Sequence, residues 1–309
     1  MSVPVSISNS EIQTFKDCRR KWWFQYYRRL KPKQKQYTGA LALGSRVHEA
    51  LDQYYSTGKP LLEAYAGLVE EEKIILLAEF RDVDTLEKEA ELGRIMLDGY
   101  LEWVEEEGID SELEMISTEE IISMPMFNGE IELKGKLDMR VRRKADGVRM
   151  FRDFKTVGGS LSDFAQLAPM NEQVMTYMLL EQHQNGEGER SEGGIFTLLK
   201  KVRRTTAARP PFYDQFEIRH NIFTMRSFWD RIHGTVADMM RVRTALEGGE
   251  NPAYHVYPRP SRDCKWKCPF FNVCTLVDDG SAAEPAIEEL YDEGDPYAYY
   301  GDQEKKGSE

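Results

Sequence analysis

The sequence predicts an α/β (α+β) chain, with helices ahead of and around a central sheet, and three observations predict it. Apolar residues recur at helical spacing through most of the first 106 residues. Short runs bounded by turn signals begin at Glu119. Two dipeptides, Asn128-Gly129 and Asp146-Gly147, are strong hairpin markers.

In order, Ser8 to Leu30 reads as a helix, because Ser8 and Glu11 have capping-box spacing and Ile12, Phe15, Trp22 and Tyr26 share one face. Helical patterns continue through Gly44 to Tyr55, Pro60 to Phe80 and Thr85 to Glu106. An antiparallel meander follows, then a helix from Ser162 to His183, a strand from Gly194 to Lys200, a weaker strand from Phe212 to Arg219 and a long helix from Phe223 to Leu246. Asn251 to Arg262, with its three prolines, reads as a connector. No internal repeat is present.

Length and charge bound the function. A chain of 309 residues buries a full core, and none of its windows approaches the roughly 18 apolar residues of a spanning helix. The start, MSVPVSISNSEIQ, lacks the basic and apolar regions of a secretory signal, so a cytoplasmic protein with no membrane partner is expected. The net charge of -12 argues against a nucleic-acid binder until its distribution is considered. Asp278 to Glu309 holds 11 acids and 2 bases, which leaves only -3 on the preceding 277 residues. Arg19 to Lys35 carries eight bases and no acid, interleaved with Trp22, Trp23, Phe24, Tyr26 and Tyr27, a mixture suited to phosphates and stacked bases. A second run comprises Lys200, Lys201, Arg203, Arg204 and Arg209. Either run is alternatively a solvated face. The acidic tail reads as disordered.

The cysteines point to metal or redox chemistry. Cys264, Cys268 and Cys274 stand in CKWKCPFFNVC, while Cys18 lies at the opposite end of the body. Structural zinc favours two close pairs, which this one-plus-three pattern fits poorly, whereas thiolates on an iron–sulfur cubane accept wider spacing. A metal held by all four ties both ends of the body together.

The segment KGKLDMRVRRKADGVRMFRDFKT places two carboxylates and a lysine on adjoining strands. With a two-residue turn at Asp146-Gly147, Ala145 pairs with Val148 and Asp138 faces Lys155; Asp153 opposes Arg140 and shares a face with Lys155. Such a group suits phosphodiester hydrolysis, in which oxygen ligands hold Mg2+ or Mn2+ and the lysine orients water or screens charge. A surface ion pair is the bland alternative. His48 and Asp52, four residues apart on a helix, point to one side, and a neutral imidazole could complete a metal site. Gln173 and Tyr177, also four apart, form a polar stripe that could brace the lysine or hold a phosphate.

Taken together, SNSEIQTFKDCRRKWWFQYY, the GxxxH of Gly44 to His48, Asp138, the DFK of Asp153 to Lys155, the QxxxY of Gln173 to Tyr177 and the cysteine triplet resemble the RecB-like branch of PD-(D/E)XK nucleases. Within it the chain is most similar to the iron–sulfur members, the AddB-type nuclease domains and the CRISPR-associated four-cysteine exonucleases. The resemblance runs from Ser8 to Cys274. It implies a restriction-endonuclease-like core with a mixed central sheet flanked by helices, a helical insertion and a C-terminal Fe-S clasp. It also implies His48, Asp138, Asp153 and the carbonyl of Phe154 as ligands of Mg2+ or Mn2+, Lys155 as the catalytic lysine, and Gln173 and Tyr177 as supports for the site and the DNA. Cys18, Cys264, Cys268 and Cys274 would hold a [4Fe-4S] cluster. Departures are Asp153, where many members have Glu, and Arg19, where Pro is frequent. No helicase motif is present, so unwinding would fall to a helicase or recombination partner.

The expected organisation is an N-terminal helix with the first cluster cysteine (1–43), a helical region (44–110), a nuclease core (111–249), a cysteine clasp (250–277) and a disordered acidic tail (278–309). The expected function is a metal-dependent DNA exonuclease preferring single-stranded ends, in recombination, replication or phage DNA metabolism. Competing readings are a noncatalytic nucleic-acid-binding or assembly factor that keeps the fold and cluster, and a zinc-stapled DNA-binding protein. The retained carboxylates and lysine speak against the first.

Overall fold

The computed structural model describes residues 4–184 and 191–300. In chain order it contains β1 (Val5–Ser8), α1 (Asn9–Asp17), α2 (Arg19–Trp22), β2 (Leu30–Pro32), α3 (Ala40–Thr57), α4 (Leu61–Ala78) and α5 (Asp84–Glu107). Then come β3 (Leu113–Met126), β4 (Ile131–Arg143), β5 (Arg149–Val157), α6 (Leu161–Leu167), α7 (Glu172–Gln184), β6 (Ser191–Lys200) and β7 (Tyr213–Arg219). The chain continues through α8 (Ile222–Glu247), α9 (Cys264–Lys267), α10 (Phe271–Cys274), α11 (Ala283–Leu290) and β8 (Tyr291–Glu293). No helix among the described residues is long and apolar enough to cross a membrane.

Two compact units result, one of Met1–Lys35, Ser123–Lys134 and Phe223–Glu309, the other of Gln36–Ile122 and Gly135–Ile222. Both are built from non-consecutive segments, so their limits differ from the serial boundaries expected from sequence.

The second unit is a mixed sheet between helices. β4 runs antiparallel to β5, β5 parallel to β6 and β6 antiparallel to β7. The period-two alternation of β4 turns Met139 and Val141 to one face, where Val47 and Leu51 of α3, Tyr65 of α4 and Leu97 and Tyr100 of α5 pack on them. Each such aliphatic side chain contributes roughly 1.5–3 kcal/mol on burial. On the other face α7 comes close at Gly135, where a Cβ would stand 2.5 Å from Leu180 and 3.1 Å from the Tyr177 ring. Arg152, 1% exposed, threads through the helical side, donating to Asp110 at 2.7 Å, Thr197 at 2.8 Å and the Tyr100 hydroxyl at 3.0 Å.

In the first unit β1 lies parallel to the start of β4, from Val5↔Ile131 to Ser8↔Lys134. Ser8 caps α1 by accepting from the Glu11 N–H at 3.2 Å. The single helix expected over Ser8 to Leu30 is instead broken: Cys18 is extended (φ -160°, ψ 108°), a π turn occupies Trp23–Tyr27, and β2 begins at Leu30. The break frees Arg20, which is 2% exposed, to donate to the Val256 carbonyl at 2.8 Å, the Cys274 carbonyl at 3.2 Å and Asp278 at 3.0 Å.

Two expectations about charge are corrected together. The segment expected to be a disordered tail carries α11 and β8, and β8 pairs antiparallel with β2 from Leu30↔Glu293 to Pro32↔Tyr291. Residues 301–309 of that expected tail lie outside the described ones. Within the N-terminal run of eight bases, Arg20 and Arg28 are paired with these acids rather than held out for phosphates, Arg20 with Asp278 and Arg28 with Glu284 at 2.6 Å. Its aromatics Trp22, Phe24 and Tyr26 are buried; Phe24 packs with Phe270, Val273, Ile287 and Tyr291. The acids are thus ordered because they neutralise bases that fold beside the apolar core. The second basic run also folds onto its surroundings: Arg204 donates to the Tyr213 hydroxyl at 2.7 Å, and Arg203 to the Lys88 carbonyl at 2.7 Å.

Candidate active site

The β4–β5 hairpin supplies the centre of the site, with a register different from the expected one. The turn is four residues long, closed by Arg143 N–H to the Val148 carbonyl at 2.9 Å and Gly147 N–H to the Arg143 carbonyl at 2.9 Å, with Gly147 at φ 72°. The pairing runs from Arg142↔Arg149 to Met139↔Arg152, so continuing it sets Asp138 opposite Asp153 rather than Lys155. The shift is two residues, which keeps every side chain on its expected face. Asp138, Asp153 and Lys155 therefore still converge.

Asp153 is 2% exposed; its Oδ2 stands 2.8 Å from the Lys155 ammonium and its Oδ1 accepts from the Gln173 amide at 3.3 Å. Gln173 also donates to the Tyr177 hydroxyl at 2.9 Å, so α7 fixes the carboxylate rather than the lysine. Asp138 Oδ2 accepts the Phe154 N–H at 2.9 Å and lies 3.2 Å from His48 Nδ1. His48 reaches it because α3 passes close to β5 one turn earlier, where a Cβ on Gly44 would sit 3.1 Å from the Thr156 hydroxyl.

Electrostatics separate the two carboxylates. Burial pushes Asp153 up to about 6, against the pull of Lys155 and with the help of Asp138. Burial also raises Asp138, but the His48 hydrogen bond and charge, Lys155 and the Phe154 N–H outweigh it and bring that carboxyl below its usual range. Burial works against protonated His48, yet Asp138 holds the imidazole above its ordinary value. For Lys155 the same contest ends upward, because burial is outweighed by Asp153 and Asp138.

A void of about 10 Å³ adjoins these groups, lined by His48, Asp52, Glu119, Asp138 and Phe154 among others. Its size is that of one water or one small ion. Glu119 was missed in the sequence, where nothing sets it apart from Glu120 beside it. Its backbone is the visible sign: φ is 50° within a strand, a strained conformation for a side-chain-bearing residue. Burial pushes its carboxyl up against an ion pair with Lys136, and Asp138 and Asp52 add to the rise. Among the described residues no group of three or more His, Cys, Asp or Glu is arranged so as to hold a metal ion; His48 and Asp138 face each other, and Asp153 and Glu119 are paired with lysines. The donor set itself, one imidazole and hard carboxylate oxygens around an ion-sized void, fits Mg2+ or Mn2+.

The four cysteines form no disulfides, are all partly exposed, and all lie in the first unit. Burial raises the Cys268 and Cys274 thiols, Lys21 and Arg20 respectively oppose that, and Cys18 and Cys264 act on both, so the four share one neighbourhood. Backbone N–H groups of Arg259 and Ser261 point at the sulfurs of Cys18 and Cys264 at 3.4 and 3.3 Å. Cysteine sulfurs, two of them facing amide donors, are the kind of donor an iron–sulfur cluster uses, but as placed the four form no group arranged to hold a metal.

No curated protein matches the chain. Among solved structures, a candidate exonuclease from Eubacterium rectale is 13% identical with a TM-score of 0.48, covering 78% of this chain and 82% of its own. A second, SSO0001, is 16% identical with a TM-score of 0.36, covering 89% and 87%. A family model, by contrast, matches residues 6–275, a span that holds every group described above, and the chain belongs to the PD-(D/E)XK nuclease superfamily.

Proposed function

We propose that the chain hydrolyses DNA phosphodiester bonds as a Mg2+- or Mn2+-dependent exonuclease preferring single-stranded ends, in recombination, replication or phage DNA metabolism. The observation that carries the proposal is the convergence of His48, Asp138, Asp153 and Lys155, with an ion-sized void lined by His48 and Asp138. His48, Asp138, Asp153 and the Phe154 carbonyl would hold a divalent ion, which supplies charge to the scissile phosphate and acidity to water. Lys155 positions the attacking water and offsets charge on the departing oxygens. Gln173 and Tyr177 keep Asp153 from turning away from Lys155. Gln173 can also donate to a phosphate once its amide turns. The reading further places a [4Fe-4S] cluster on Cys18, Cys264, Cys268 and Cys274, and the shared neighbourhood of the thiols supports it.

The test is digestion of end-labelled single-stranded DNA by anaerobically purified protein with Mg2+, with Mn2+ and with chelator, beside an absorption spectrum near about 400 nm. Metal-dependent release of short products by a brown protein is expected. Binding without cleavage under every metal would overturn the nuclease assignment, and a colourless protein with stoichiometric zinc would overturn the cluster.

A further inference from the structure

Outside the active site a groove of about 570 Å³ lies wholly in the first unit, between α1, the Cys18 break, α8 and the connector around Tyr257. That volume lies within the range ligand sites occupy. Its charged lining is Lys16, Arg19, Arg231 and Arg259 against Asp17 and Asp238, a local excess of two positive charges in a chain of net -12. Asp238 is already engaged by Arg19 and by Arg241 at 2.8 Å, so it offers little to a cationic ligand.

The wall of the groove is built rather than incidental. The Arg19 guanidinium lies 4.5 Å from the Phe15 ring centroid and 5.3 Å from that of Tyr257, and Asp238 clamps it. Tyr257 is 50% exposed and lines the groove together with exposed Arg231 and Arg259. Gly234 supplies an independent observation. It stands inside the 26-residue helix α8, where glycine is unfavourable, and a Cβ there would meet nothing within 4 Å. Neither a turn nor close packing requires glycine at this position. Its effect is to leave the groove clear.

We infer that this groove binds a single-stranded DNA segment, with a base on Tyr257 and the flanking phosphates on Arg231 and Arg259. Stacking on an aromatic face combined with basic residues along the backbone path is how single strands are held without sequence preference. Choosing DNA rather than another polyanion rests on the nuclease reading, but the groove is tested by binding alone.

The experiment measures fluorescence anisotropy of a labelled 12-nucleotide oligothymidylate with the full chain in chelator, across a salt series. The variants are Arg231→Glu with Arg259→Glu, Tyr257→Ala, and Gly234→Leu. The charge reversal is expected to weaken binding at least tenfold and to flatten the plot of log affinity against log salt by about 1.4, two phosphate contacts' worth. Tyr257→Ala and Gly234→Leu should weaken binding several-fold with that slope unchanged, while Gly234→Ala raises Tm. Affinities within twofold of the parent in the charge-reversed and Tyr257→Ala proteins, with parental Tm, would overturn the groove even if Gly234→Leu fails to fold. Loss of binding in a protein that never cleaves with Mn2+ would keep the groove and sink the nuclease reading; normal cleavage with unchanged binding would do the reverse.

Discussion

Asp153 and Glu11 are both buried carboxylates, 2% and 0% exposed, yet their surroundings differ in kind. Glu11 is closed on every side: its Oε1 accepts from the Trp22 indole at 2.8 Å and from Arg243 at 2.8 Å, and its Oε2 accepts from the Tyr297 hydroxyl. Those partners come from residues 22, 243 and 297, so one carboxylate fastens both ends of the first unit. Asp153 has a lysine and an amide, a second carboxylate opposite, and an ion-sized void lined by Asp138 close by. A satisfied buried charge holds a fold, and an incompletely compensated one does chemistry.

The comparison breaks most sharply at Lys155. Lys155→Ala and Asp153→Ala should each lower cleavage per folded molecule by about 10³-fold or more, roughly 4 kcal/mol of barrier. Near-parental cleavage in both proteins would show that Asp153 is as structural as Glu11. Glu11→Ala should do the opposite. It leaves Arg243 largely buried without its partner and should lose about 3–5 kcal/mol of stability in denaturant titration, with cleavage per folded molecule kept. A Glu11→Ala protein of parental stability would mean that the knot at the chain ends holds nothing.

A smaller effect tests Asp153 by pH. Because burial raises Asp153 in the fold to about 6, the native state holds its proton more tightly than the unfolded chain, whose carboxyl titrates near about 4. Its contribution is therefore full below about pH 4 and lost as pH rises through about 6. In chelator, Tm should fall across that window, and Asp153→Asn should flatten the fall. An identical slope in parent and variant would remove Asp153 as its source.

How much of this was legible follows from the range of each signal. The helices α3, α4 and α5 and the strand–helix alternation after residue 149 were readable because their apolar periodicity is local. The residues Asp138, Asp153 and Lys155 came together despite a wrong turn length, because an error of two in register preserves the face; an error of one would have scattered them. Glu11 was read only as half of a capping box, since the indole, guanidinium and phenol that surround it lie as much as 286 residues away. The same reason hid the pairing of the N-terminal bases with the C-terminal acids, which composition presents as a nucleic-acid patch and a disordered tail. Glu119 was invisible because only its backbone conformation distinguishes it.

The finest test of the comparison is Tyr177→Phe. The hydroxyl is one bond removed from Asp153: it accepts from Gln173, whose same amide nitrogen donates to Asp153, and its ring packs edge-on against Phe151 at 5.4 Å. Removing only the oxygen keeps the ring contact and loosens the amide, a loss on the order of 1 kcal/mol. If Asp153 acts in the reaction, that loosening should appear as about a fivefold drop in kcat with KM and Tm nearly unchanged, because it acts on how the carboxylate is held and not on how the strand is bound. If Gln173 and Tyr177 serve DNA binding instead, KM should rise at constant kcat. The split between the two constants therefore assigns the stripe on α7 either to the carboxylate it touches or to the strand.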